Sequence, residues 1–427
     1  MRRTKLTCVL LLAGAACTPE GIQGTVPSYD NDIQPMMAQY CVRCHNPEGT
    51  APVSFTEPAV VEAYAEYMLA RIDAGEMPPP VSDPDCRDYV GSEHLSLPAD
   101  QRDLLAEWID TGKVMGPGLT EPTESAVDLD LPGADLEVYL PVPYDPVFDD
   151  PTNPENEYRC FALEHERAET FFVTGLGPLV DALPLVHHIV VFKDSVADIP
   201  EHDPALGWDC INDMDGLEIG MIAGWAPGAL PVTFPEGTGY RVEPHERIVI
   251  QMHYYDGAPD RPELTDQSGY AFTTTDAVDM ELFIYPYGRE SFVIPAGEED
   301  WAFTSRDYIP ESIDLGDVEI PFPTTEVLGV FPHMHQLGRS YELTLEHEDG
   351  TEECVARSDS WDFDNQLTYM FRDSVEMGPG DTVKWTCSWN NSLSNPDLIH
   401  NPPIDIGYGE RTDEEMCWAF TLAGLVF

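Results

Sequence analysis

The most informative cysteines lie in the sequence Cys41-Val42-Arg43-Cys44-His45. Two thiols at this spacing can add across the two vinyl groups of a haem, and the adjacent His45 then reaches the iron from one face. The alternatives are a redox-active CxxC pair and half of a zinc site, but a zinc site needs a second Cys/His pair nearby and none follows in the sequence. We therefore predict one covalently bound haem c, attached through Cys41 and Cys44 with His45 as an axial ligand.

Met77 is the candidate for the second axial ligand of this haem. It lies in Gly75-Glu76-Met77-Pro78-Pro79-Pro80, where the prolines favour a loop over a helix and so suit a thioether held over the haem face. Met68 lies in an apparently helical stretch, and we expect it to pack in the core instead. A methionine ligand would raise the reduction potential of the haem.

Five of the twelve histidines form local sets that could bind metal. His333 and His335 are two residues apart, so on a strand they point to the same face and can bind one ion. His187 and His188 point to opposite faces of an ideal strand, and they can share an ion only if the backbone twists or the pair ends a strand. His253 is the fifth. Any one of these alone would be read as an ordinary surface or core histidine, but two such motifs in one chain favour Cu, Zn, Ni or Fe.

Helical signals surround the haem motif and define a small domain over residues 18–113. Before the motif, Ile33, Met36, Met37 and Tyr40 fall on one helical face. After the Met77 loop, residues 97–112 predict a closing helix with an apolar stripe and a glycine stop. Together these features resemble a small cytochrome c domain. Residues 114–130 are rich in Gly and Pro and predict a linker.

Residues 131–427 predict β structure, because short β-branched or aromatic runs alternate with turn signals. Examples are residues 189–192 and 341–345. Regular short strands of this kind indicate antiparallel sandwiches, and the length suits two of them, over residues 131–280 and 281–427. We therefore expect a mainly β protein, with a small α-helical cytochrome c domain followed by two antiparallel, jelly-roll-like β-sandwich domains.

Length and charge limit the possible functions. The chain has 427 residues, too long for one ordinary domain, and 42% of them are hydrophobic, enough to build real cores. Its 78 acidic residues outnumber its 21 Lys and Arg residues and give a formal net charge of −57. Such a surface repels phosphate groups, which excludes nucleic acid and anionic membrane surfaces as main partners.

The first residues predict an export signal. Three basic residues among the first five precede a short apolar run that ends at Ala16, a pattern typical of a signal peptide over residues 1–17 and too short to span a bilayer. Gly14-Ala15-Ala16-Cys17 resembles a lipoprotein cleavage box, although Gly14 stands where a large aliphatic residue is usual. We expect an exported protein, in the periplasm or anchored to the outer membrane through a lipid on Cys17. A plain cleaved signal is the alternative.

Export changes the expected state of the cysteines. Apart from those in the signal peptide and the haem motif, and the candidate anchor Cys17, six remain. An even number in an oxidising compartment favours disulfides over free thiols, although the number does not set their connectivity. They are Cys86, Cys160, Cys210, Cys354, Cys387 and Cys417.

The histidine motifs of residues 131–427 resemble those of the copper type II, ascorbate-dependent monooxygenases, the family of peptidylglycine α-hydroxylating and dopamine β-monooxygenases. That family holds its first copper with a His-His pair and a distant His, and its second with a His-x-His before Leu-Gly and a Met before Cys. The matching residues, in the family's order, are His187, His188, His253, His333, His335 and Met416. Further matches are Tyr158-Arg159-Cys160, Trp208-Asp209-Cys210, residues 223–227 and residues 235–239.

The resemblance implies two copper ions, one in each sandwich. Three imidazoles make a neutral set suited to cycling between Cu(I) and Cu(II), so the first copper would store and deliver an electron. Two imidazoles with a thioether are softer and favour Cu(I), the form that meets dioxygen. His333, His335 and Met416 would therefore be the catalytic set, where O2 is used to attack a C–H bond of a small-molecule substrate.

The resemblance also implies two disulfides, Cys160–Cys210 in the first sandwich and Cys387–Cys417 in the second. Cys86 and Cys354 are then left over. By elimination, they could join the cytochrome domain to the second sandwich.

Three positions bear on the substrate. In the peptide-processing branch of the family, an Arg two residues before the His-x-His, with an Asn and a Tyr after the Met-Cys, holds a substrate carboxylate. The matching positions here are Phe331, Trp418 and Phe420. A carboxylate would be desolvated there without a partner. We therefore expect a neutral or cationic substrate with an apolar or aromatic part, since aromatic faces also attract cations.

Alternatives exist for both the source of the electrons and the function of the protein. The family normally uses ascorbate, an anion that a charge of −57 would repel, whereas the fused haem offers a supply filled by an external electron donor. A non-catalytic haem/copper electron-transfer protein is the main alternative function. A copper storage or delivery module would need Met-rich or His-rich tracts, and the sequence has none.

Overall fold

The computed structural model describes residues 26–47, 49, 51–117, 122–149, 155–194, 199, 201–210, 220–256, 264–314, 319–409 and 411–426. The predicted signal peptide and Cys17 lie outside the described residues. The fold is mainly β with a small helical part at the start, as the sequence predicts.

The helical part is a separate module with its own core. A π-helical turn, Tyr29–Ile33, runs into α1 (Gln34–Tyr40), and α2 (Pro58–Asp73), α3 (Ser92–Leu95) and α4 (Ala99–Asp110) follow. The predicted closing helix is α4, whose Leu105 and Trp108 are fully buried, and Gly112 ends it with a positive φ of 92°. Met68 packs in this core, as expected. Within the part of the chain that is described, no helix is both long and apolar enough to cross a membrane.

The predicted linker lies along this helical module. Thr123 N–H donates to the carbonyl of Thr56 at 2.7 Å, and Ala126 N–H donates to Ala38 O at 2.9 Å. The Thr123 hydroxyl also meets the hydroxyl of buried Tyr29 at 3.1 Å. The described residues of this segment therefore follow the module surface. The number of residues in the segment does not indicate how far the helical module lies from the sandwiches.

The first sandwich contains the strands up to β10. They are β1 (Leu136–Tyr139), β2 (Asn156–Leu163), β3 (Phe171–Leu179), β4 (Val186–Lys193), β5 (Trp208–Asp209), β6 (Met221–Trp225), β7 (Val232–Thr233), β8 (Thr238–Val242), β9 (Ile248–Tyr255) and β10 (Gly269–Thr275). One sheet has the order β5-β2-β9-β4-β6, and the other contains β1-β10-β3-β8, with β7 beside β3. Phe161 and Ile250 from one sheet and Val173 and Phe272 from the other share one buried core.

The second sandwich contains the strands from β11 to β22. Its strands are β11 (Met280–Gly288), β12 (Val293–Ile294), β13 (Trp301–Tyr308), β14 (Ser312–Asp314), β15 (Glu319–Pro321), β16 (Thr324–His333), β17 (Gly338–Glu346), β18 (Glu352–Ser358), β19 (Tyr369–Met377), β20 (Thr382–Trp389), β21 (Ile406–Gly407) and β22 (Trp418–Val426). A sheet with the order β11-β22-β16-β19 faces one with the order β13-β20-β17-β18, while β12-β21 and β14-β15 are small pairs.

The two sandwiches are joined by a strand pair. β11 pairs in parallel with β8, with Met280 opposite Thr238, so one sheet runs without a break through both sandwiches. The chain changes sandwich between β10 and β11, and buried side chains of both belong to one hydrophobic cluster. Of the histidine-bearing strands, β16 lies in this continuous sheet, whereas β4 and β9 lie in the other sheet of the first sandwich.

The helical module is fixed to the second sandwich. A disulfide joins Cys86 to Cys354, the pair left over by elimination. Beside it, Tyr89 forms a β-bridge with Phe371 and packs its ring 4.8 Å from that of Tyr369. The ion pairs around this contact are Arg87–Glu353, Arg357–Asp83, Arg372–Asp88 and Arg372–Glu93. The module is therefore docked by a covalent bond, a buried aromatic contact and charge pairs.

Candidate metal centres

The first candidate centre is built on two adjacent strands. His188 on β4 lies directly opposite His253 on β9, and the register of this pair shifts between Val186 and His188. Because the strand begins with this irregularity, the side chain of His187 also turns toward the other two. The adjacent His187 and His188 thus face one point, which an ideal strand would not allow.

The three imidazoles converge through the same ring atom. His187 Nδ1 lies 3.2 Å from His188 Nδ1 and 3.1 Å from His253 Nδ1, and the last two are 3.1 Å apart. Nitrogens at these separations fit around a single ion with bonds of about 2 Å. Burial lowers the pKa of His188 and of His253 well below the usual value, so both rings stay neutral, as metal ligands must be.

The opposite edges of these rings have oxygen partners. His253 Nε2 lies 2.6 Å from Asn156 Oδ1, and His187 Nε2 lies 3.0 Å from Asp364 Oδ1. An oxygen can only accept from these nitrogens, so each Nε2 carries the proton and each Nδ1 keeps its lone pair for an ion. The ring of Tyr158 stacks on His253 at 4.1 Å and fixes its plane.

The second candidate centre lies where β16 ends and β22 begins. His333, the last residue of β16, pairs with Trp418, the first residue of β22. Extending this antiparallel register by two residues sets His335 opposite Met416. The rings of His333 and His335 are 5.2 Å apart and nearly perpendicular. The structure thus brings together all three residues predicted for this centre.

In the second centre, the histidines leave Nε2 free for an ion, whereas those of the first centre leave Nδ1 free. His333 Nδ1 donates to Gln366 Oε1 at 2.6 Å, and His335 Nδ1 donates to the carbonyl of Glu414 at 3.0 Å. Their Nε2 atoms are thus the ones available to an ion. Burial lowers the pKa of His333 to about 4 and that of His335 to about 3, so both are neutral at ordinary pH.

Glu415 ties the two halves of this second centre together. Its carboxylate is fully buried and accepts from His335 N–H at 3.0 Å, Leu337 N–H at 2.7 Å and Trp389 Nε1–H at 2.9 Å. Burial raises its pKa to about 7, against the effect of these N–H groups. Sequence reasoning missed this residue, although a carboxylate directly beside Met416 was a usable signal.

Disulfides brace both centres. Cys160 on β2, beside β9, is bonded to Cys210, and Cys387 on β20 is bonded to Cys417, next to Met416. These are the pairs that the resemblance implies. Together with Cys86–Cys354 they indicate folding in an oxidising compartment outside the cytosol.

The two centres open onto one cavity of about 150 Å³ between the sandwiches. His188, His333, His335 and Met416 line it, and so does Gln251. Among the described residues that line this cavity, none is Asp, Glu, Lys or Arg. Most of the wall is aromatic or aliphatic, so a ligand there meets imidazole, thioether and apolar groups.

Two of the three residues predicted for the substrate pocket line the cavity, and the third does not. Phe331 and Phe420 line the cavity, whereas Trp418 does not. The Trp418 ring lies behind the wall, with its centroid 6.3 Å from that of Phe420 and 6.4 Å from that of Tyr408. Phe363, which the sequence did not suggest, enters the site with its ring 6.3 Å from that of His187 and 6.2 Å from that of His335.

The CxxCH segment directly follows α1, near the start of the helical module. Neither Cys41 nor Cys44 forms a disulfide. His45 Nδ1 lies 2.8 Å from the carbonyl of Val53, so it donates there and leaves Nε2 for an iron. Burial lowers the pKa of His45 and keeps the ring neutral. This donor set fits a c-type haem.

Met77 lies between the helical module and the second sandwich. It is 40% exposed and lines a cavity of about 370 Å³ between the helical module and the second sandwich. His45 is not among the residues that line this cavity. The structure therefore places Met77 at the docked face of the module without joining it to His45 around one pocket.

Comparison with known proteins gives the family. The model of the copper type II ascorbate-dependent monooxygenase N-terminal domain matches residues 146–260, and that of the C-terminal domain matches residues 283–422. The chain is 24% identical over 248 residues to putative DBH-like monooxygenase protein 2 of Homo sapiens, covering 55% of this chain and 46% of that protein.

More distant relatives agree. Peptidyl-glycine alpha-amidating monooxygenase A of Xenopus laevis is 24% identical over 284 residues, covering 65% of this chain and 26% of that protein. The chain thus spans about half or less of the length of these relatives. Since the two domain models together cover more than half of the chain, in the order of its two sandwiches, the protein belongs to the copper type II ascorbate-dependent monooxygenase family.

Proposed function

We propose that the protein is an exported monooxygenase that hydroxylates a C–H bond of a small, non-carboxylate substrate, with electrons supplied through a fused c-type haem. The substrate C–H, O2, two electrons and two protons would give C–OH and water. The observation that carries this proposal is the single uncharged cavity onto which both histidine centres open.

The residues of the two centres would hold one copper ion each. Bound copper would supply one-electron storage at the three-imidazole set and O2 chemistry at the softer set of two imidazoles and a thioether. Burial keeps His188, His253, His333 and His335 neutral. Asn156, Gln366 and the carbonyl of Glu414 direct the free nitrogens of His253, His333 and His335 inward. Phe331, Phe363 and Phe420 exclude water from the cavity between them.

The cavity wall supports a neutral or cationic substrate. A carboxylate entering it would lose its hydration and find no cationic partner among the described lining residues, which is unfavourable by several kcal/mol. Its aromatic rings favour an apolar or aromatic group on the substrate, and they also attract a cation.

Binding of matched small molecules, one with a carboxylate and one without, tests the substrate class. An aromatic carboxylate should compete poorly for the cavity, while the matching amide or amine should compete well. In Phe331→Arg, which places a guanidinium in the wall, the preference should reverse, and Phe331→Leu should leave it unchanged. Carboxylate-dependent binding by the unaltered protein would contradict this part of the proposal.

The docking of the helical module supports the haem as electron source. The module is bonded to the second sandwich through Cys86–Cys354, and Asn365 Nδ2 donates to the carbonyl of Pro80, near Met77, at 2.9 Å. The haem-bearing module is thus held against the copper domains. An external one-electron donor would fill it.

Spectroscopy tests the haem. The reduced protein should show a low-spin c-type spectrum, and the oxidised protein should show a Met–iron charge-transfer band. Met77→Ala should remove this band and lower the potential, whereas Met68→Ala should do neither, because Met68 packs in the core. A band that survives in Met77→Ala would rule out this ligand.

Oxygen uptake tests the function as a whole. Metal and haem analysis should give two copper ions and one haem per chain. When the reduced protein meets O2 and substrate, haem oxidation should track the appearance of product that carries one oxygen atom from labelled O2. Both should vanish in His253→Ala. Haem oxidation without oxygenated product, whatever the substrate, would favour the non-catalytic electron-transfer alternative.

The location within the exported fraction is also a proposal. The resemblance of residues 14–17 to a lipoprotein cleavage box supports anchoring at the outer membrane through Cys17. Mass spectrometry of the mature N-terminus would show either a lipidated Cys17 or a plain cleaved end.

A further inference from the structure

One loop of the second sandwich touches candidate ligands on both sides of the cavity. Residues 361–367, between β18 and β19, form this segment, which we name the bridging loop. Its Asp364 reaches His187 of the first sandwich, with 3.0 Å between Oδ1 and Nε2. Its Gln366 reaches His333 of the second, with 2.6 Å between Oε1 and Nδ1. A single short segment therefore contacts one ligand of each centre.

The chemistry of the two contacts sets the ring protons. A carboxylate can only accept, so Asp364 places the proton of His187 on Nε2 and leaves Nδ1, the atom that faces His188 and His253, without one. Gln366 has both a donor and an acceptor, but its Nε2 donates to the carbonyl of Phe363 at 3.0 Å, which turns Oε1 toward His333. His333 then donates through Nδ1 and keeps its Nε2 lone pair.

The bridging loop is itself held in place from several directions. Trp361 donates its backbone N–H to the carbonyl of Arg339 at 2.7 Å and its ring N–H to the carbonyl of His335 at 3.1 Å. Asn365, between Asp364 and Gln366, donates to Pro80 of the helical module at 2.9 Å. The loop is thus positioned by the second sandwich and by the cytochrome module together, while Asp364 acts on the first sandwich.

We propose that Asp364 and Gln366 are positioning residues that select the ligating nitrogen of His187 and of His333, so that one loop prepares both copper centres. This inference rests on the proposed copper function. It assigns to the second sandwich a part in forming the centre of the first. The first centre is complete only when the two sandwiches are closed on each other.

Copper binding to the full-length haem protein tests the proposal. In a His335→Ala background, which leaves the first centre alone, Asp364→Leu should weaken copper binding roughly 10–100-fold, the usual effect of losing a hydrogen-bond partner of a ligating histidine. It should also change the Cu(II) hyperfine pattern in electron paramagnetic resonance. Asp364→Asn keeps an acceptor oxygen at the same reach and should bind copper nearly as tightly as the parent.

The second contact has a parallel test. In a His253→Ala background, Gln366→Leu should weaken copper binding at the second centre by a similar factor, and Gln366→Glu should restore it. Asp359→Leu, a change of an exposed carboxylate just before the bridging loop, is the matched control and should leave both centres unchanged. Thermal unfolding of each variant checks that the fold is retained, and Asp364, whose side chain is 74% exposed, should contribute little to it.

The outcomes separate this inference from the proposed function. If Asp364→Leu and Gln366→Leu bind copper as tightly as their parents with unchanged spectra, the positioning roles are overturned while the copper function stands. If Asp364→Asn is as weak as Asp364→Leu, the charge of Asp364 matters and not its hydrogen bond, which also overturns the proposal. If the unaltered protein binds no copper, the proposed function itself fails.

Discussion

Cys44 of the haem motif lies directly against Gly228 of the first sandwich. A Cβ atom on residue 228 would stand 2.6 Å from Cys44 Sγ, closer than any side chain tolerates, and the φ of Gly228 is +84°. The helical module therefore touches both sandwiches, the second through Cys86–Cys354 and the first through Cys44, a thiol proposed to carry the haem. This contact places the CxxCH motif against a residue three positions after Trp225, which lines the cavity.

Gly228→Ala should push the module away from the first sandwich. We expect a loss of stability of about 1–3 kcal/mol from the left-handed backbone, together with slower electron transfer from haem to copper. Gly297→Ala is the matched control, because Gly297 has the same φ of +84° but nothing within 4 Å of its added Cβ. Thermal unfolding and flash-induced electron transfer should show equal strain in both variants but slower transfer only in the first. Equal transfer rates would show that the contact carries no function.

Removal of the Cys86–Cys354 bridge should loosen the module without disturbing the copper centres. The double change Cys86→Ser and Cys354→Ser removes a link of the kind that typically stabilises by about 2–4 kcal/mol. The ion pairs and the Tyr89 contact remain, so we expect partial undocking. Limited proteolysis between the module and the sandwiches should become faster while copper content stays at two. Proteolysis at the original rate would mean that the noncovalent contacts suffice.

Copper binding at the second centre should resist acid. A histidine with an ordinary pKa near 6.5 gains a proton below that pH and loses its affinity for metal. Because burial lowers the pKa of His333 to about 4 and that of His335 to about 3, both rings keep their lone pairs as the pH falls from 7 to 5. Chelator competition should therefore give a nearly flat affinity over this range.

Glu415→Gln controls for the nearby carboxyl in that experiment, because the pKa of Glu415, about 7, falls at the edge of the same range. The amide does not titrate, so a flat profile in this variant too would assign the effect to the imidazoles. A decline that begins at pH 6.5 in both proteins would show that the rings titrate normally.

Glu415→Ala should remove the second copper and spare the first. The change leaves the N–H groups of His335, Leu337 and Trp389 buried without their acceptor, at about 1–3 kcal/mol each. The His335 and Met416 segments should then separate. Copper analysis should fall from two ions to one, with a large drop in the unfolding temperature. Glu414→Gln, at the neighbouring residue, should change neither by much, and loss of both ions from Glu415→Ala would indicate general unfolding instead.

Site residues that lie within short sequence motifs could be predicted from the sequence. The His-x-His and Met-Cys motifs identify the second centre because both lie at the ends of paired strands, where spacing along the chain becomes spacing in the site. The joint role of His187 and His188 was harder to predict. Their side chains point the same way because of the register shift between β4 and β9, and no local sequence pattern reveals that shift.

Contacts between distant segments could not be predicted. Asp364 and Gln366 act from the bridging loop and Asn156 from the first residue of β2, all far along the chain from the histidines they touch, and nothing in their sequence neighbourhood distinguishes them from ordinary polar residues. Trp418 was expected in the pocket because it matches a substrate-binding position of the resembling family, yet it lies behind the wall residue Phe420 and next to Tyr408. The haem motif was evident, whereas the position of Met77 relative to His45 depends on how the module folds and docks.

The bridge between Cys86 and Cys354 spans 268 residues and encloses the whole first sandwich, with its own Cys160–Cys210 pair. During export from the N-terminal end, Cys86 emerges before Cys160 and Cys210, and its partner emerges after both. Oxidation in order of appearance would join Cys86 to Cys160 and Cys210 to Cys354, and neither of these pairs is native. The native set therefore depends on thiol–disulfide exchange, or on Cys86 staying reduced until the second sandwich arrives. Maturation of this protein thus needs either disulfide exchange or a delay in the oxidation of Cys86.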